Sequence, residues 1–262
     1  MKIPIYQADA FTNNLFGGNP AAICLLQDWL SDELMQQIAI ENNLSETAFL
    51  VKDGKDYQIR WFTPGTEVKL CGHATLASAH ILFTLLGHPG DSIIFHSKSG
   101  PLTVSKIENG KLMLNFPTNI PEPVKEIPFG IFEGLGIESA PVFKTSFDYM
   151  VVLPSEKIIS LLTPDFKVLA KTPCRGVIVT APGDEADFVS RCFYPQSGID
   201  EDPVTGSAHT ILVPYWAAQL NKTRLQAIQL SRRRGHLDCT LSGDRVLMSG
   251  HAVTYLKGEI EI

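Results

Sequence analysis

The feature of this sequence that most constrains its fold is a pattern that occurs twice, once in each half. The motif Arg-x-Phe-x-Pro stands at residues 60–64 and again 131 residues later, at 191–195. Each copy follows a strand–turn–strand pattern and precedes a loop and a small-residue turn into an apolar helix. These turns lie at 71–74 and 205–208, now 134 residues apart, so the second loop is three residues longer. A repeated order of elements predicts two similar domains.

The elements before the motif also correspond between the halves. Ser31 is typical of a helix N-cap, and Thr163 followed by Pro164 predicts a second helix with its cap and first residue there. Asp53-Gly54 and Pro182-Gly183 indicate the turns of two hairpins. After the motif, the most continuously apolar segments predict central helices over roughly 74–87 and 208–220.

A proline-rich stretch separates the two halves. Residues 115–123 contain three prolines, which favours an extended connector between domains. We therefore predict an N-terminal domain over 1–118 and a C-terminal domain over 119–262, with the last strand able to pack back on the first domain. The predicted fold class is α+β, with two pseudo-symmetric domains that each wrap a mostly antiparallel sheet around a central helix.

Composition excludes several classes of partner. The 262 residues carry 22 Lys and Arg against 28 Asp and Glu, a net charge of −6 without the basic excess that nucleic-acid binding requires. The longest apolar stretch, 74–87, is shorter than the ~20 residues of a membrane span. Five dispersed cysteines and the lack of a signal-peptide core predict a cytoplasmic protein without a disulfide framework.

Two similar domains create a cleft at their interface, where ligands preferentially bind. The helix starts at Gly72-His73 and Gly206-Ser207 are expected to face such a cleft. Glycine allows a close approach of the backbone, and the N–H groups of a helix N-terminus bind anions. The pattern therefore predicts a site for a small carboxylate, while a tight turn alone would also explain both glycines.

Residues that differ between the halves are the better candidates for chemistry. Glu46 begins an apolar strand where the second half has Gly176, and burial there would disfavour its ionised form, which suits acid–base work. Asp202 lies in the longer second loop and could hold a substrate ammonium group, whereas Asp200 and Glu201 are expected to face solvent. The helix dipole should lower the pKa of His73 and keep it neutral. A purely structural role remains open for Glu46 and His73.

Six motifs along the chain together resemble one known family. They are Asp9-Ala-Phe11-Thr, Gly17-Gly18-Asn19-Pro20-Ala, Leu44-Ser45-Glu46-Thr47-Ala, Arg60-Trp-Phe62-Thr-Pro64, Glu67-Val-x-Leu70-Cys71-Gly72-His73-Ala74-Thr75 and Asp202-Pro203-Val-Thr205-Gly206-Ser207-Ala-His209. In this order they resemble the PhzF-like family of phenazine-biosynthesis-type isomerases, and the resemblance covers nearly the whole chain.

The resemblance implies the diaminopimelate-epimerase-like fold, a homodimer, and catalysis with neither metal nor organic cofactor. Glu46 matches the family's catalytic carboxylate, which moves a proton between substrate carbons. The matching residues that line the cleft and assist catalysis are His73, Asp202 and Ser207. We expect substrate contacts from the neighbouring positions Cys71, Gly72, Ala74, Thr205 and Gly206. The implied reaction is a proton-shift isomerisation of a small carboxylate that carries an amino group; the metabolite itself is left open.

Two other functions stay open at this point. Related epimerases use one cysteine before each helix-start glycine; Cys71 occupies the first position, but Thr205 occupies the second, and a hydroxyl is too weak an acid to replace a thiol. A carboxylate-binding protein without turnover is the other alternative. The Cys71-x-His73 spacing matches no known zinc motif, so no metal ligand set is predicted. The run 232–234, three arginines, has no assigned role beyond a solvated turn.

Overall fold

The C-terminal strand determines how the chain divides. In the computed structural model, which describes residues 1–262, the first unit comprises Met1–Phe116 together with Leu247–Ile262, and the second unit comprises Pro117–Val246. The last strand, Ala252–Glu261, pairs antiparallel with the first, Lys2–Ala10. The division based on sequence assigned 119–262 to the C-terminal domain and allowed the last strand to pack back on the first. In the structure the segment from Leu247 onward belongs to the first unit, because it supplies the ladder partner of the first strand.

The first unit contains nine strands and two α-helices, together with the start of the connector. Its strands are β1 (Lys2–Ala10), β2 (Asn19–Leu26), β3 (Glu46–Asp53), β4 (Asp56–Phe62), β5 (Glu67–Val68), β6 (Ser92–Ser97), β7 (Gly100–Lys106), β8 (Leu112–Pro117) and β18 (Ala252–Glu261). Its helices are α1 (Asp32–Asn42) and α2 (Gly72–Thr84), with a short 3-10 turn at Glu108–Gly110. Helix α2 packs against β1, β2 and β18 and buries most of its side chains.

The second unit contains the remaining elements. Its strands are β9 (Glu122–Pro123), β10 (Val142–Lys144), β11 (Asp148–Val152), β12 (Gly176–Pro182), β13 (Phe188–Tyr194), β14 (Ile199–Asp202), β15 (Arg224–Gln229) and β16 (Gly235–Ser242), and β17 (Arg245–Gly250) contains the unit boundary. Its helices are α3 (Ile131–Leu135), α4 (Glu156–Leu161), α5 (Phe166–Leu169) and α6 (Gly206–Leu220), with a 3-10 turn at Pro195–Ser197.

The two units pair their strands in the same sequence. In the first, β2–β3 is parallel, β3–β4 and β4–β5 are antiparallel, β4–β6 is parallel and β6–β7 is antiparallel. In the second, the same alternation runs through β11–β12, β12–β13, β13–β14, β13–β15 and β15–β16. Each unit is thus a mixed sheet with a majority of antiparallel ladders, as the repeated motif predicts.

The helix starts agree with the sequence patterns at most positions. Ser31 caps α1 by accepting a hydrogen bond from the Leu34 N–H, as predicted. The predicted cap at Thr163 with Pro164 as first helical residue is wrong. Asp165 caps α5 instead, because its carboxylate accepts the N–H groups of Lys167 and Val168.

The central helices differ from their predicted limits mainly at the ends. Helix α2 stops at Thr84, before the predicted end at residue 87, and Gly87 adopts a φ of +61°. Helix α6 runs from Gly206 to Leu220 and tolerates Pro214 in its interior. None of the six α-helices has the length and hydrophobicity that a membrane crossing requires.

Candidate active site

Two elements of the first unit bring the candidate acid–base residues together. Glu46 is the first residue of β3 and lies opposite Ala21 in the parallel β2–β3 ladder. His73 is the second residue of α2, and Cys71 is the N-cap residue of that helix. Residues 47–50 of β3 are buried and Glu46 is partly buried, so Glu46 lies at the edge of the buried part of the strand.

Glu46 and His73 form a close and largely buried pair. Glu46 Oε2 lies 3.2 Å from His73 Nε2, and the two side chains are 13% and 4% exposed. The two atoms are in contact, although no hydrogen bond is formed at Nε2. Burial lowers the pKa of His73 from 6.5 to about 3. The imidazole is therefore neutral at physiological pH, as predicted, although burial rather than the helix dipole is the main cause.

The other nitrogen of the His73 ring has different neighbours. Asn19 Nδ2 lies 3.1 Å from Nδ1, and Cys71 Sγ lies 3.6 Å from the same nitrogen. Both neighbours can donate a hydrogen, from the amide and from the thiol. The structure therefore surrounds one imidazole with a carboxylate at Nε2 and potential donors at Nδ1.

The same residues bear on whether this group could hold a metal ion. Ligating atoms of Glu46, Cys71 and His73 lie within 4.8 Å of one another. The spacing of Cys71 and His73 in the sequence had suggested no third ligand. The carboxylate and the thiol approach different ring nitrogens. Since an ion binds a single nitrogen of an imidazole, the present ring orientation does not direct all three groups at one point. We assign no metal to this group.

The start of α2 also offers main-chain donors. The first N–H groups of a helix have no partner within it, and Cys71 provides no side-chain cap. Gly72 and Ala74 contribute such groups beside His73; because the Ala74 side chain is fully buried, only its backbone could reach a ligand. An anion is the favoured guest of such donors.

In the second unit, Asp202 and Thr205 lie in one buried hydrogen-bonded network. The Thr205 hydroxyl donates to Asp202 Oδ2 over 2.6 Å. The fully buried Gln229 accepts the Thr205 N–H through Oε1 and donates from Nε2 to the Asp202 carbonyl and to Thr205 Oγ1. This network holds Asp202 and the start of α6 in fixed register. Thr205 is the counterpart of Cys71 in the first unit, and its hydroxyl is engaged in this network.

Ser207 lies beside a cation that sequence reasoning did not find. Arg175 Nη2 donates to Ser207 Oγ over 3.1 Å, and its guanidinium forms a two-point pair with the buried Asp148. The rings of Phe147 and Tyr194 flank the same guanidinium at 5.9 and 5.3 Å. In the sequence, only one feature pointed to Arg175: it directly precedes Gly176, and Gly176 is the predicted counterpart of Glu46 in the second half.

One expectation about the second loop is wrong. Glu201 is not a solvated acid, because both of its carboxylate oxygens accept hydrogen bonds from the Arg191 guanidinium, over 2.7 and 3.0 Å. Arg60 and Glu67 form the same two-point pair in the first unit. The arginine of each repeated motif therefore has a structural partner 7 to 10 residues later.

The structure thus places the predicted residues in two sets. In the first unit it brings together Glu46, Cys71 and His73 with the helix start at Gly72 and Ala74, and it adds Asn19. In the second unit it joins Asp202 to Thr205, and it places Gly206 and Ser207 at the start of α6 with Arg175 beside them. Asn19 and Gln229 were missed as site residues; Asn19 stood in a recognised motif without a role.

Comparison with known proteins agrees with the resemblance drawn from the motifs. A family model described as phenazine biosynthesis-like protein matches residues 8–258. A Pseudomonas aeruginosa protein named as an isomerase is 52% identical over 262 residues and covers all of both chains. The crystal structure of a PhzF-family phenazine biosynthesis protein from Enterococcus faecalis matches with a TM-score of 0.95 at 46% identity, again over all of both chains.

A more distant structure shares the fold of this chain. A hydroxyproline epimerase from Agrobacterium vitis matches with a TM-score of 0.65 at 8% identity, over 99% of this chain and 92% of that one. At this identity the likeness concerns the fold alone, and it confirms the predicted α+β fold of the diaminopimelate-epimerase-like class. The match over nearly the whole length, together with the identity to named isomerases, leads to one conclusion. The chain belongs to the phenazine biosynthesis-like (PhzF) family of isomerases.

Proposed function

We propose that this isomerase moves a proton between carbon atoms of a small carboxylate, with Glu46 as the acid–base group. The observation that carries the proposal is the position of the Glu46 carboxylate, which is largely buried and 3.2 Å from a neutral imidazole. A group that must both take and return a proton needs a setting that shields it from bulk water. Glu46 is the acid of the first unit that meets this condition beside a helix N-terminus.

His73 supports this role without competing for it. Because the pKa of His73 is about 3, the ring does not take the substrate proton as an ordinary base at neutral pH. Its Nε2 lies beside the Glu46 carboxylate, and an N–H at that nitrogen would stabilise the ionised form of the carboxyl group. Glu46 therefore carries the proton in this proposal, and His73 assists it.

We further propose that helix N-termini bind the substrate carboxylate. The supporting features are the main-chain donors at Gly72 and Ala74 in the first unit, and those at Gly206 and Ser207 in the second. Asp202, which is 9% exposed and held by Thr205, would bind an amino group. That both sets of residues contact one substrate molecule stays a prediction from the sequence.

The proposal is tested by replacing the carboxylate alone. Amino and hydroxy carboxylates are first screened for thermal stabilisation of the protein, and those that bind are then tested for turnover. Glu46→Gln should lower turnover by ~100-fold or more, since general acid–base groups contribute about that much. Its melting temperature should stay near that of the wild type.

The matched control is Glu41→Gln, on the exposed side of α1, which should keep full activity. Turnover by Glu46→Gln at the wild-type rate would show that Glu46 is not the acid–base group. Ligands that stabilise the protein but are never converted would favour the alternative of a binding protein without activity.

Other expectations of the family resemblance are part of the same proposal. We propose a homodimer that works without metal or organic cofactor in the cytoplasm and has no nucleic-acid partner. The acidic net charge of −6 supports the last point. Epimerisation by two thiols is not favoured, because Thr205 stands where the second thiol would be and donates to Asp202.

A further inference from the structure

Asn19 is a fully buried polar residue that the proposed reaction does not yet use. It is the first residue of β2, and its side chain is 0% exposed. Its amide nitrogen lies 3.1 Å from His73 Nδ1, although 54 residues separate the two in sequence. A buried amide at this distance from an imidazole fixes which ring nitrogen carries the proton.

The backbone before Asn19 is built to place it there. Gly18 has a φ of +59°, and a Cβ atom on it would lie 2.0 Å from the Ala10 carbonyl oxygen. Only glycine allows the chain to turn this closely against the end of β1. Asn19 then pairs with Ala10 at the start of the antiparallel β1–β2 ladder. The position of its side chain is therefore set by the sheet and not by a mobile loop.

In the neutral ring of His73 one nitrogen carries the proton and donates, while the other accepts, so the neighbours of each nitrogen decide the tautomer. With Nδ2 of Asn19 facing Nδ1, that nitrogen must accept, so the proton resides on Nε2. The Cys71 thiol, 3.6 Å from Nδ1, is a second potential donor to the same nitrogen. With the opposite amide orientation, Nδ1 would carry the proton and a bare Nε2 would face the Glu46 carboxylate at 3.2 Å. Two lone pairs would then repel each other whenever Glu46 is ionised.

We propose that Asn19 is a positioning residue that holds His73 in the tautomer protonated at Nε2, with this N–H facing Glu46. This role rests on the proposed function of Glu46, since it gives that residue a fixed donor beside it. Nε2 makes no hydrogen bond in the structure, so its proton is available to Glu46 or to a substrate atom. Asn19 acts only through His73 and does not itself contact the reacting atoms.

The wild-type protein provides the first test. Nitrogen-15 NMR of histidine-labelled protein at pH 7 distinguishes a protonated ring nitrogen from a bare one. The expected result for His73 is a protonated Nε2 and an unprotonated Nδ1. A proton found on Nδ1 overturns the proposal without any variant having to fold, and this readout is independent of turnover.

Variants then show whether Asn19 or Glu46 determines which ring nitrogen of His73 carries the proton. In Glu46→Gln, the donors at Nδ1, Asn19 and the Cys71 thiol, should still keep the proton on Nε2. Adding Asn19→Leu, which removes the donor but keeps the number of side-chain heavy atoms and the branch at Cγ, should bring a measurable share of the proton to Nδ1. An unchanged tautomer in the double variant overturns the assignment to Asn19.

Turnover supplies the functional readout. Asn19→Leu alone should lower kcat by roughly 10- to 100-fold, the usual cost of removing a group that orients a site residue, with a smaller change in KM. The matched control is Gln36→Leu, which removes an amide that donates to the Thr63 carbonyl in the same unit. It should leave both the His73 tautomer and kcat unchanged. An equal loss of kcat in both variants would indicate a general effect of amide loss and contradict the proposal.

Discussion

At the scale of single residues, three histidines are held neutral by burial. The pKa of His73 is lowered to about 3, and those of His80 and His209 to about 4, each mainly because burial penalises the charged ring. The unfolded chain takes up protons on all three near pH 6.5, whereas the folded chain does not. The folded state must therefore lose stability as the pH falls below 6.5, and it gains nothing from these groups above that value.

The free energy of unfolding should fall between pH 6.5 and 5 with a slope of up to ~1.4 kcal/mol per pH unit for each histidine. Urea denaturation at several pH values measures this slope. His80→Gln can keep the contact of His80 with Thr254 Oγ1 but cannot titrate, so it should reduce the slope by up to one histidine's share. A free energy that stays flat between pH 7 and 5 would contradict the neutral assignment.

The candidate site could be predicted in part at this scale. Glu46, Cys71 and His73 stand out in the sequence because they occur next to a strand start and a helix start. Asn19 could not be found in this way, since its contact with His73 depends on the fold of a segment 54 residues away. Glu201 was assigned to solvent because the pairing of its loop with β13, and hence with Arg191, is a tertiary contact.

At the scale of elements, the turn into β2 is the tightest constraint near the site. Gly18→Ala should destabilise the protein by ~3 kcal/mol or more, because the new Cβ would overlap the Ala10 carbonyl and the backbone is left-handed. Chemical denaturation measures the loss.

Gly54→Ala is the matched control for that turn. Gly54 has a φ of +62°, close to that of Gly18, but a Cβ atom on it would have no other atom within 4 Å. The substitution should cost only ~1 kcal/mol, the penalty of the conformation itself. Equal losses in the two variants would show that the close approach at Ala10 does not matter.

The ends of the helices show which features of an element can be predicted from sequence patterns. Ser31 is followed by acids and lies before an amphipathic segment, and it caps α1 as predicted. At the start of α5, three consecutive residues are all typical of a helix start. Asp165 is the cap, rather than Thr163, because its side chain satisfies two N–H groups at once. Local propensity predicts the helix, and hydrogen bonding decides its first residue.

At the scale of the whole molecule, the first unit depends on the C-terminal segment. Strand β18 pairs with β1 from Lys2–Glu261 to Ala10–Ala252, and α2 packs against both strands. Deletion of residues 252–262 should therefore expose the edge of β1 and speed hydrogen exchange of its amides. Exchange measured by mass spectrometry should show lost protection in β1, with β12 and β13 of the second unit as internal controls. Unchanged protection of β1 would contradict this dependence.

The fold at this scale could be predicted from the repeated motif. Two copies of one order of elements indicated two α+β units, and each unit does pair its strands in the same sequence. The sequence analysis allowed the last strand to return to the first unit but could not place the boundary at Leu247, because strand pairing between distant segments leaves no local signal. Whether the two copies arose by duplication stays a prediction.

The central claim is that Glu46 transfers a proton to and from carbon. The measurement that tests it most directly is the deuterium content of carbon-bound positions after incubation with a converted carboxylate in heavy water, followed by NMR and mass spectrometry. The wild type should exchange or transfer hydrogen at a substrate carbon, and Glu46→Gln should do neither, while Glu41→Gln should match the wild type. Conversion by the wild type without exchange or transfer of any carbon-bound hydrogen, or undiminished exchange by Glu46→Gln, would contradict the account.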